Sequence, residues 1–583
     1  MRRLLGQPLA ALSLNLGLWH QAVQYKSILE MARQRVLLAG GVVVIAYGAI
    51  GVRLIDVMIL RPSKAYVRGV SQKDFGVRQN ITDRNGEILA TQLVTASVYA
   101  NPKVVLNPKE AAEKLATVFP EVGYEALHQK LSNKSKAFVW LARHVTPKIQ
   151  QTINQLGIPG IYWEKDYKRV YPHGHLFSHV LGYCGVDGEG LSGIEKFFDE
   201  KLRNPADNSE PLSISMDLRI QHIVYDEMCQ SLEEFKAVAG NAAVMNIKTG
   251  EILSMVSLPT FDPNLPSQNN PDSTFNRNTL GVYEPGSTFK ILNTAIALES
   301  GKAKLDSTFD ARFPIRIGRF TVDDFKGKYR VLSLTEAFIY SSNIAAIKIA
   351  QMFGMNTQKE YFEKFGLFKS VSLEIPEIGQ PLVPARWSES GMMTMSYGYG
   401  ISVTPLQSLR AVAAIVNNGV LVSPTLVSLS GEEAEKRAAF FDAQPHVVSL
   451  KTSASIRDLM RMVVGEGTAK KADVAGYEVI GKTGTAYQSK GRTGYGALKS
   501  RTTSFIGAFP KDNPQYAIIV MLDDPKPSKE TYGYATAGWN AAPTAGKIIS
   551  RIAPALGVPS SLDDSQSSAY WLNIAAPIHD DGE

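Results

Sequence analysis

Cysteine is nearly absent from this chain: Cys184 and Cys229 are the only two among 583 residues. Neither has metal-ligand spacing around it, which argues against a thiolate metal site. Their separation leaves one disulfide open in an oxidising compartment, but the sequence favours two unpaired thiols. No block of interleaved basic and aromatic residues marks a nucleic-acid surface, and a formal net charge of +7 is modest for this length. Charged residues at 20% and hydrophobic ones at 44% exclude a disordered chain. The length suggests about three folded parts.

Long hydrophobic runs are also scarce. Val36 to Val52 is an uncharged apolar run of seventeen residues, and Leu54 to Leu60 extends it beyond Arg53 with only Asp56 polar. Seventeen is the short end of what crosses a hydrocarbon core, and a buried soluble helix is the alternative. Gly40, Gly41, Gly48 and Gly51 weigh against a packed soluble helix and are tolerated in membrane spans. Arg2, Arg3, Lys26, Arg33 and Arg35 precede the run, so the positive-inside tendency keeps 1–34 in the cytoplasm and sends the chain after about residue 60 outside. There is no small-residue cleavage site, so 35–60 reads as an uncleaved anchor. Leu9 to Leu18 is too short to span.

The residues that carry chemistry begin at Ser287 and Lys290, in Glu284-Pro285-Gly286-Ser287-Thr288-Phe289-Lys290, the only Ser-x-x-Lys in the chain. An apolar run to Gly301 follows and reads as a helix. A spacing of three puts both side chains on one face, one turn apart. Pro285-Gly286 is a turn that starts the helix and places Ser287 at the positive end of its dipole. A serine hydroxyl needs a base, and a lysine whose pKa is lowered by burial and neighbouring cations can serve. Alone, such a tetrad arises readily by chance.

Two further elements follow in order. Ser341-Ser342-Asn343 lies between two helical stretches, with Asn343 a candidate N-cap for the second. Lys482-Thr483-Gly484-Thr485 lies in a late strand. Both triplets recur: Ser-x-Asn at Ser13 and Ser267, and Lys-Thr-Gly at Lys248. Lys248-Thr249-Gly250 sits between apolar runs and reads as a hairpin turn with Gly250 at positive φ. Only one set has the order of helix-start serine, inter-helix loop and late strand.

That trio resembles the signature of penicillin-binding proteins and serine β-lactamases. The stretch from Arg78 to Ala90, with Asp83-Arg84-Asn85-Gly86, is similar to the opening motif of class B penicillin-binding proteins, with Gln79 in place of the usual glycine. Arg169-Val170-Tyr171-Pro172, His179, Gly182 and Gly188 through Asp199, with Glu195, resemble the later motifs of their non-catalytic pedestal. Tyr397-Gly398-Tyr399-Gly400 through Gln407 is similar to the septal, cell-division branch; the elongation branch carries Gly-Gln-Gly there. The resemblance runs from about residue 35 to about 556.

It implies an α+β architecture: a transpeptidase domain (206–556) with an antiparallel sheet and helices on its faces, an elongated pedestal (61–205) and one N-terminal membrane helix. Residues 557–583 read as a tail. The alternation agrees: Leu212 to Met216 as a strand, Leu218 to Phe235 as a helix, Ala242 to Val256 as a hairpin, then strands at 478–487, 503–509 and 516–522. A helical middle between early and late strands implies one sheet built from both ends of the domain.

The resemblance further implies a peptidoglycan D,D-transpeptidase. Ser287 would attack the D-alanyl-D-alanine carbonyl, Lys290 would take its proton, and Ser341 would link Lys290 to Lys482. Asn343 would bind the donor stem peptide, and the N–H groups of Ser287 and Thr485 would form the oxyanion hole. Lys482, Thr483, Gly484 and Thr485 would hold the substrate carboxylate and pair with the extended peptide. No metal or organic cofactor is implied. The partners implied are stem peptides, β-lactams, a membrane-embedded glycan polymerase and division proteins. Against a class A β-lactamase stands the lack of a Glu-x-x-x-Asn element after Asn343. Against a penicillin sensor stands the single span, and against a bifunctional polymerase the lack of its acidic motif before residue 210. The elongation-type enzyme, with the same chemistry, stays open.

Overall fold

The computed structural model describes residues 33, 35, 37–51, 78–203, 210–318, 320–487 and 500–562. The chain divides into two compact units, residues 1–74 and 75–583. In the first, residues 37–51 form a helix whose apolar side chains, Leu38, Val44 and Ile45 among them, are exposed. Among the described residues no helix is long and apolar enough to cross a membrane. Leu9 to Leu18, Leu54 to Leu60 and the tail beyond 562 lie outside the described residues.

The second unit is organised around a five-stranded antiparallel sheet. Its order is Ile480–Tyr487, Arg501–Phe509, Tyr516–Asp523, Ala239–Asn246 and Ile252–Leu258. The expected assembly from both ends of the domain is therefore what forms, with Ile518 paired to Val244 across the join. Strands buried on both faces read as unbroken apolar runs, as the interior of Tyr516–Asp523 does. Leu218–Glu234 and Ala541–Ala555 pack together on one face, where Ser231 and Thr544 share a 2.7 Å hydrogen bond. Lys290–Glu299, Pro405–Val416 and Leu450–Gly465 cover the other. Side-chain caps fix where these helices begin: Asp217 accepts from Arg219 N, and Thr404 and Gln407 form a reciprocal capping box.

The pedestal holds a second sheet, in which Ile88–Ala100 pairs antiparallel with both Val139–Val145 and Ile161–Val170. Its outer part has its own small core, including Val98, Leu115, Phe119 and Leu141. Its inner part does not: Ile81, Leu89, Phe177, Val180 and Ile194 belong to the large core around the five-stranded sheet. One strand departs from the sequence reading. Only Leu212–Ser213 is extended as a strand, and it pairs in parallel with Ile81–Thr82 in the pedestal sheet. Alternation marks an extended segment but carries no information about which neighbour it joins.

A buried charged node holds the inner pedestal. The Glu195 carboxylate, wholly buried, receives Arg78 Nε and Arg169 Nε, each at 2.6 Å. Arg78 also donates to Asp199 and to the Glu195 carbonyl, each at 2.7 Å, and Arg169 donates to the Gln79 carbonyl at 2.9 Å. Gln79 needs no left-handed backbone, which is why it can stand where glycine is usual, and its side-chain amide donates to the Glu210 carbonyl. Both cysteines are free. Replacing Glu195 with alanine leaves two buried guanidinium groups without their shared anion, which should destabilise the full-length protein by about 3–5 kcal/mol. The midpoint of chemical denaturation measures this; a loss under about 1 kcal/mol, the range of exposed ion pairs, would remove the node from the structural account.

Candidate active site

Three elements meet at one edge of the five-stranded sheet. The first is a 3₁₀ turn, Gly286–Phe289, that runs directly into the helix Lys290–Glu299. Ser287 therefore sits on the tighter turn, and Lys290 is the first α-helical residue. At i and i+3 in a 3₁₀ turn, side chains eclipse, which brings the pair closer than an α-helix would. Lys290 Nζ lies 3.1 Å from Ser287 Oγ.

The second is the turn between the helices Leu334–Ile339 and Asn343–Lys364. The cap of the second helix is Ser342, whose hydroxyl accepts from Ala345 N at 3.0 Å, and not Asn343. Asn343 is the first helical residue, so its amide is free to face Lys290 Nζ at 2.7 Å. Ser341 adopts φ +59° and presents both its carbonyl, at 2.6 Å, and its hydroxyl, at 3.1 Å, to the same nitrogen.

The third is the edge strand Ile480–Tyr487. Lys482 Nζ reaches Ser341 Oγ at 3.0 Å, so the Ser341 hydroxyl lies between the two amines. Thr483 Oγ1 pairs with Thr468 Oγ1 at 2.6 Å, and Thr485 Oγ1 accepts from Ala537 N at 3.3 Å. Gly484 lets the strand approach the serine turn: a Cβ there would lie 2.9 Å from Thr288 Cγ2 and 3.0 Å from the Pro285 carbonyl. The sequence-expected residues are thus gathered in one cluster. The other Lys-Thr-Gly is the expected hairpin turn, with Gly250 at φ +80° and Lys248 Nζ donating to Asn417 Oδ1.

Both amines are buried, Lys482 completely and Lys290 with 2% of its surface exposed. Burial pulls Lys482 down to about 7. Burial and then the Lys482 charge push Lys290 well below the ordinary lysine value, with Asp324 acting in the opposite direction. A neutral amine has two N–H donors and one lone pair. The Ser341 carbonyl and the Asn343 amide oxygen can take the two N–H groups, which leaves the lone pair for a hydroxyl proton. The arrangement suits removal of a proton from Ser287 and its return through Ser341.

Two contributors escaped the sequence reading. Asp324, on an irregular loop, accepts from Ser342 Oγ, Asn343 N and Ile344 N. The segment Tyr397–Gln407, which in the sequence marked only a branch of the family, braces the serine turn: Gly286 N donates to the Gly398 carbonyl at 3.0 Å, and Gly400 N donates to Glu284 at 2.8 Å. The glycines of that segment were the available signal.

Known proteins resemble this chain over most of its length. Residues 240–550 match the model of the penicillin binding protein transpeptidase domain, and residues 74–209 that of the penicillin-binding protein dimerisation domain. The chain is 36% identical over 502 residues to the probable peptidoglycan D,D-transpeptidase FtsI of Caulobacter vibrioides, covering 85% of this chain and 83% of that one. The chain belongs to the class B penicillin-binding proteins. It is also 30% identical to stage V sporulation protein D of Bacillus subtilis, over 85% of this chain and 80% of that one. Among solved structures, penicillin binding protein 3 of Mycobacterium tuberculosis in complex with aztreonam superposes with a TM-score of 0.63 at 25% identity, covering 84% of this chain and 98% of that one. The α+β transpeptidase fold on a pedestal is shared by this class.

The brace gives a sharp expectation for this class B protein. Gly398 has φ +89°, and a Cβ on it would lie 1.9 Å from the Gly286 carbonyl oxygen. Gly398→Ala must push the serine turn away from Lys290, and a displacement near 1 Å costs about a hundredfold in rate. Stopped-flow acylation by a fluorescent penicillin should show that loss; a rate within threefold of the unaltered protein would mean the segment does not set the position of Ser287.

Proposed function

We propose that this protein cross-links peptidoglycan stem peptides as a serine D,D-transpeptidase of the division septum. The observation that carries the reading is the convergence of Ser287 Oγ, Ser341 Oγ, the Ser341 carbonyl and Asn343 Oδ1 on the single buried nitrogen of Lys290. Ser287 Oγ forms the bond to the carbonyl carbon of the penultimate D-alanine while its proton passes to Lys290. The N–H groups of Ser287 and Thr485 stabilise the oxyanion, and losing one such donor costs about 3 kcal/mol. The carbon–nitrogen bond then breaks, and the departing D-alanine amine takes the proton through Ser341. An amine from a neighbouring stem attacks the acyl-enzyme carbonyl and yields its proton to Lys290, which returns it to Ser287 Oγ as the ester bond breaks. Lys482 and the hydroxyls of Thr483 and Thr485 suit the substrate carboxylate, the edge strand with Gly484 suits pairing with the extended donor peptide, and Asn343 suits its side-chain amide. β-Lactams would acylate the same serine.

Septal placement is supported by the Tyr397–Gln407 segment and by the likeness to FtsI-named relatives. The domain scheme proposed is a cytoplasmic segment (1–34), an anchor (35–60), a pedestal (61–205), the transpeptidase domain (206–556) and a tail. The pedestal would meet a membrane-embedded glycan polymerase and other division proteins. A fluorescent fusion at midcell supports the septal role, whereas sidewall fluorescence favours elongation.

Two experiments test the chemistry and the topology. Ser287→Ala should show no penicillin adduct by intact mass, and Lys290→Arg should lose acylation by at least about a hundredfold, because arginine stays protonated. An adduct on the alanine variant would place the nucleophile elsewhere. A reporter active only outside the cytoplasm should work when fused after residue 65 and fail before residue 30; the reverse pattern would contradict both the anchor and the substrate.

A further inference from the structure

The turn that arms Lys290 is itself held by a residue outside the three motifs. One oxygen of the Asp324 carboxylate accepts from Asn343 N at 2.5 Å and Ile344 N at 3.0 Å; the other accepts from Ser342 Oγ at 2.6 Å. These two N–H groups are among the donors that the first turn of a helix leaves unpaired, and the carboxylate also meets the positive end of the helix dipole. The preceding carbonyl, Asp323 O, accepts from Asn343 Nδ2 at 3.0 Å, which turns the amide so that its oxygen faces Lys290. Ser341, one residue before the bonded segment, holds the left-handed φ of +59° that lets carbonyl and hydroxyl both reach the amine. A serine keeps that backbone only where its surroundings impose it. Of the four hydrogen bonds at Lys290 Nζ, three come from this turn.

We propose that Asp324 is a positioning residue for acylation: it fixes the Ser341–Asn343 turn in the shape that aims the Lys290 amine at Ser287. Its loop is pinned on the far side as well. Lys326 Nζ donates to Tyr534 OH at 2.9 Å and lies 4.1 Å from the ring centre. Two charged groups act on Lys290, Lys482 from the edge strand and Asp324 from this loop, and they act in opposite directions. Removing the carboxylate leaves the Lys482 charge unopposed, so Lys290 would stay neutral to a lower pH than before. Loss of Asp324 should therefore slow acylation through geometry and shift its acid limb through charge. A merely structural residue would produce only the first effect.

The inference rests on Ser287 being the acylated residue, so the unaltered protein is first shown to carry its penicillin adduct there; absence of that adduct would defeat the proposed function and not this role. The test is Asp324→Asn in the full-length protein, with acylation by a penicillin followed from acid to neutral pH and folding checked by thermal unfolding. The expected result is a rate lower by about a hundredfold, the cost of a small misplacement, together with an acid limb displaced to lower pH. A rate within threefold of the unaltered protein, or a slower rate with an unmoved limb, overturns the proposal. If the asparagine variant does not fold, Asp324→Ser, which also removes the carboxylate charge, carries the same test with the same two outcomes.

Discussion

Two lysines within about 3 Å of one serine hydroxyl, in a place water barely reaches, cannot both keep their charge. Lys290 and Lys482 both bond Ser341 Oγ, at 3.1 and 3.0 Å, and both are buried. Desolvation disfavours each ammonium, and repulsion disfavours the pair further. Burial and the Lys482 charge together hold Lys290, beside Ser287, well below the ordinary lysine value. Everything near the site serves to maintain that condition: the sheet edge brings in Lys482, the 3₁₀ turn sets the serine against the lysine, and the capped turn at 341–343 takes up the N–H groups of the amine.

The same constraint explains why the domain is large. A lysine held below its ordinary value needs a dry, close-packed setting, and helices on both faces of a five-stranded sheet provide it. The inner pedestal is continuous with that core, and its buried node at Glu195 joins segments far apart in sequence. The inner pedestal and the five-stranded sheet thus share one hydrophobic core.

Much of this was legible in the residues. The order of Ser287-x-x-Lys290, Ser341-Ser342-Asn343 and Lys482-Thr483-Gly484-Thr485 located the cluster, and the strands came from apolar runs bounded by turns. Arg78, Arg169 and Glu195 stood out as motif positions and proved to be direct partners. What stayed hidden depends on three dimensions. Asp324 lies on an irregular loop, where no periodicity assigns a partner. Ser342 and Asn343 are both good caps, and only the loop contacts decide between them. Leu212–Ser213 reads as a strand, yet its partner, Ile81–Thr82, lies about 130 residues upstream. The role of Gly398 appears only when the Gly286 turn is seen against it.

Burial and the Lys482 charge hold the Lys290 amine well below the ordinary lysine value, and the role of Ser287 depends on that. The direct measurement is an NMR titration of the full-length protein labelled at lysine Cε, with the Lys290 signal assigned by its loss in Lys290→Arg. Protonation shifts that carbon, so the curve reports the state of the amine without reference to turnover. The expected result is a Lys290 signal that titrates well below the exposed lysines. A Lys290 signal that titrates with them, near the ordinary value of about 10.5, would mean that the amine is charged and cannot be the base.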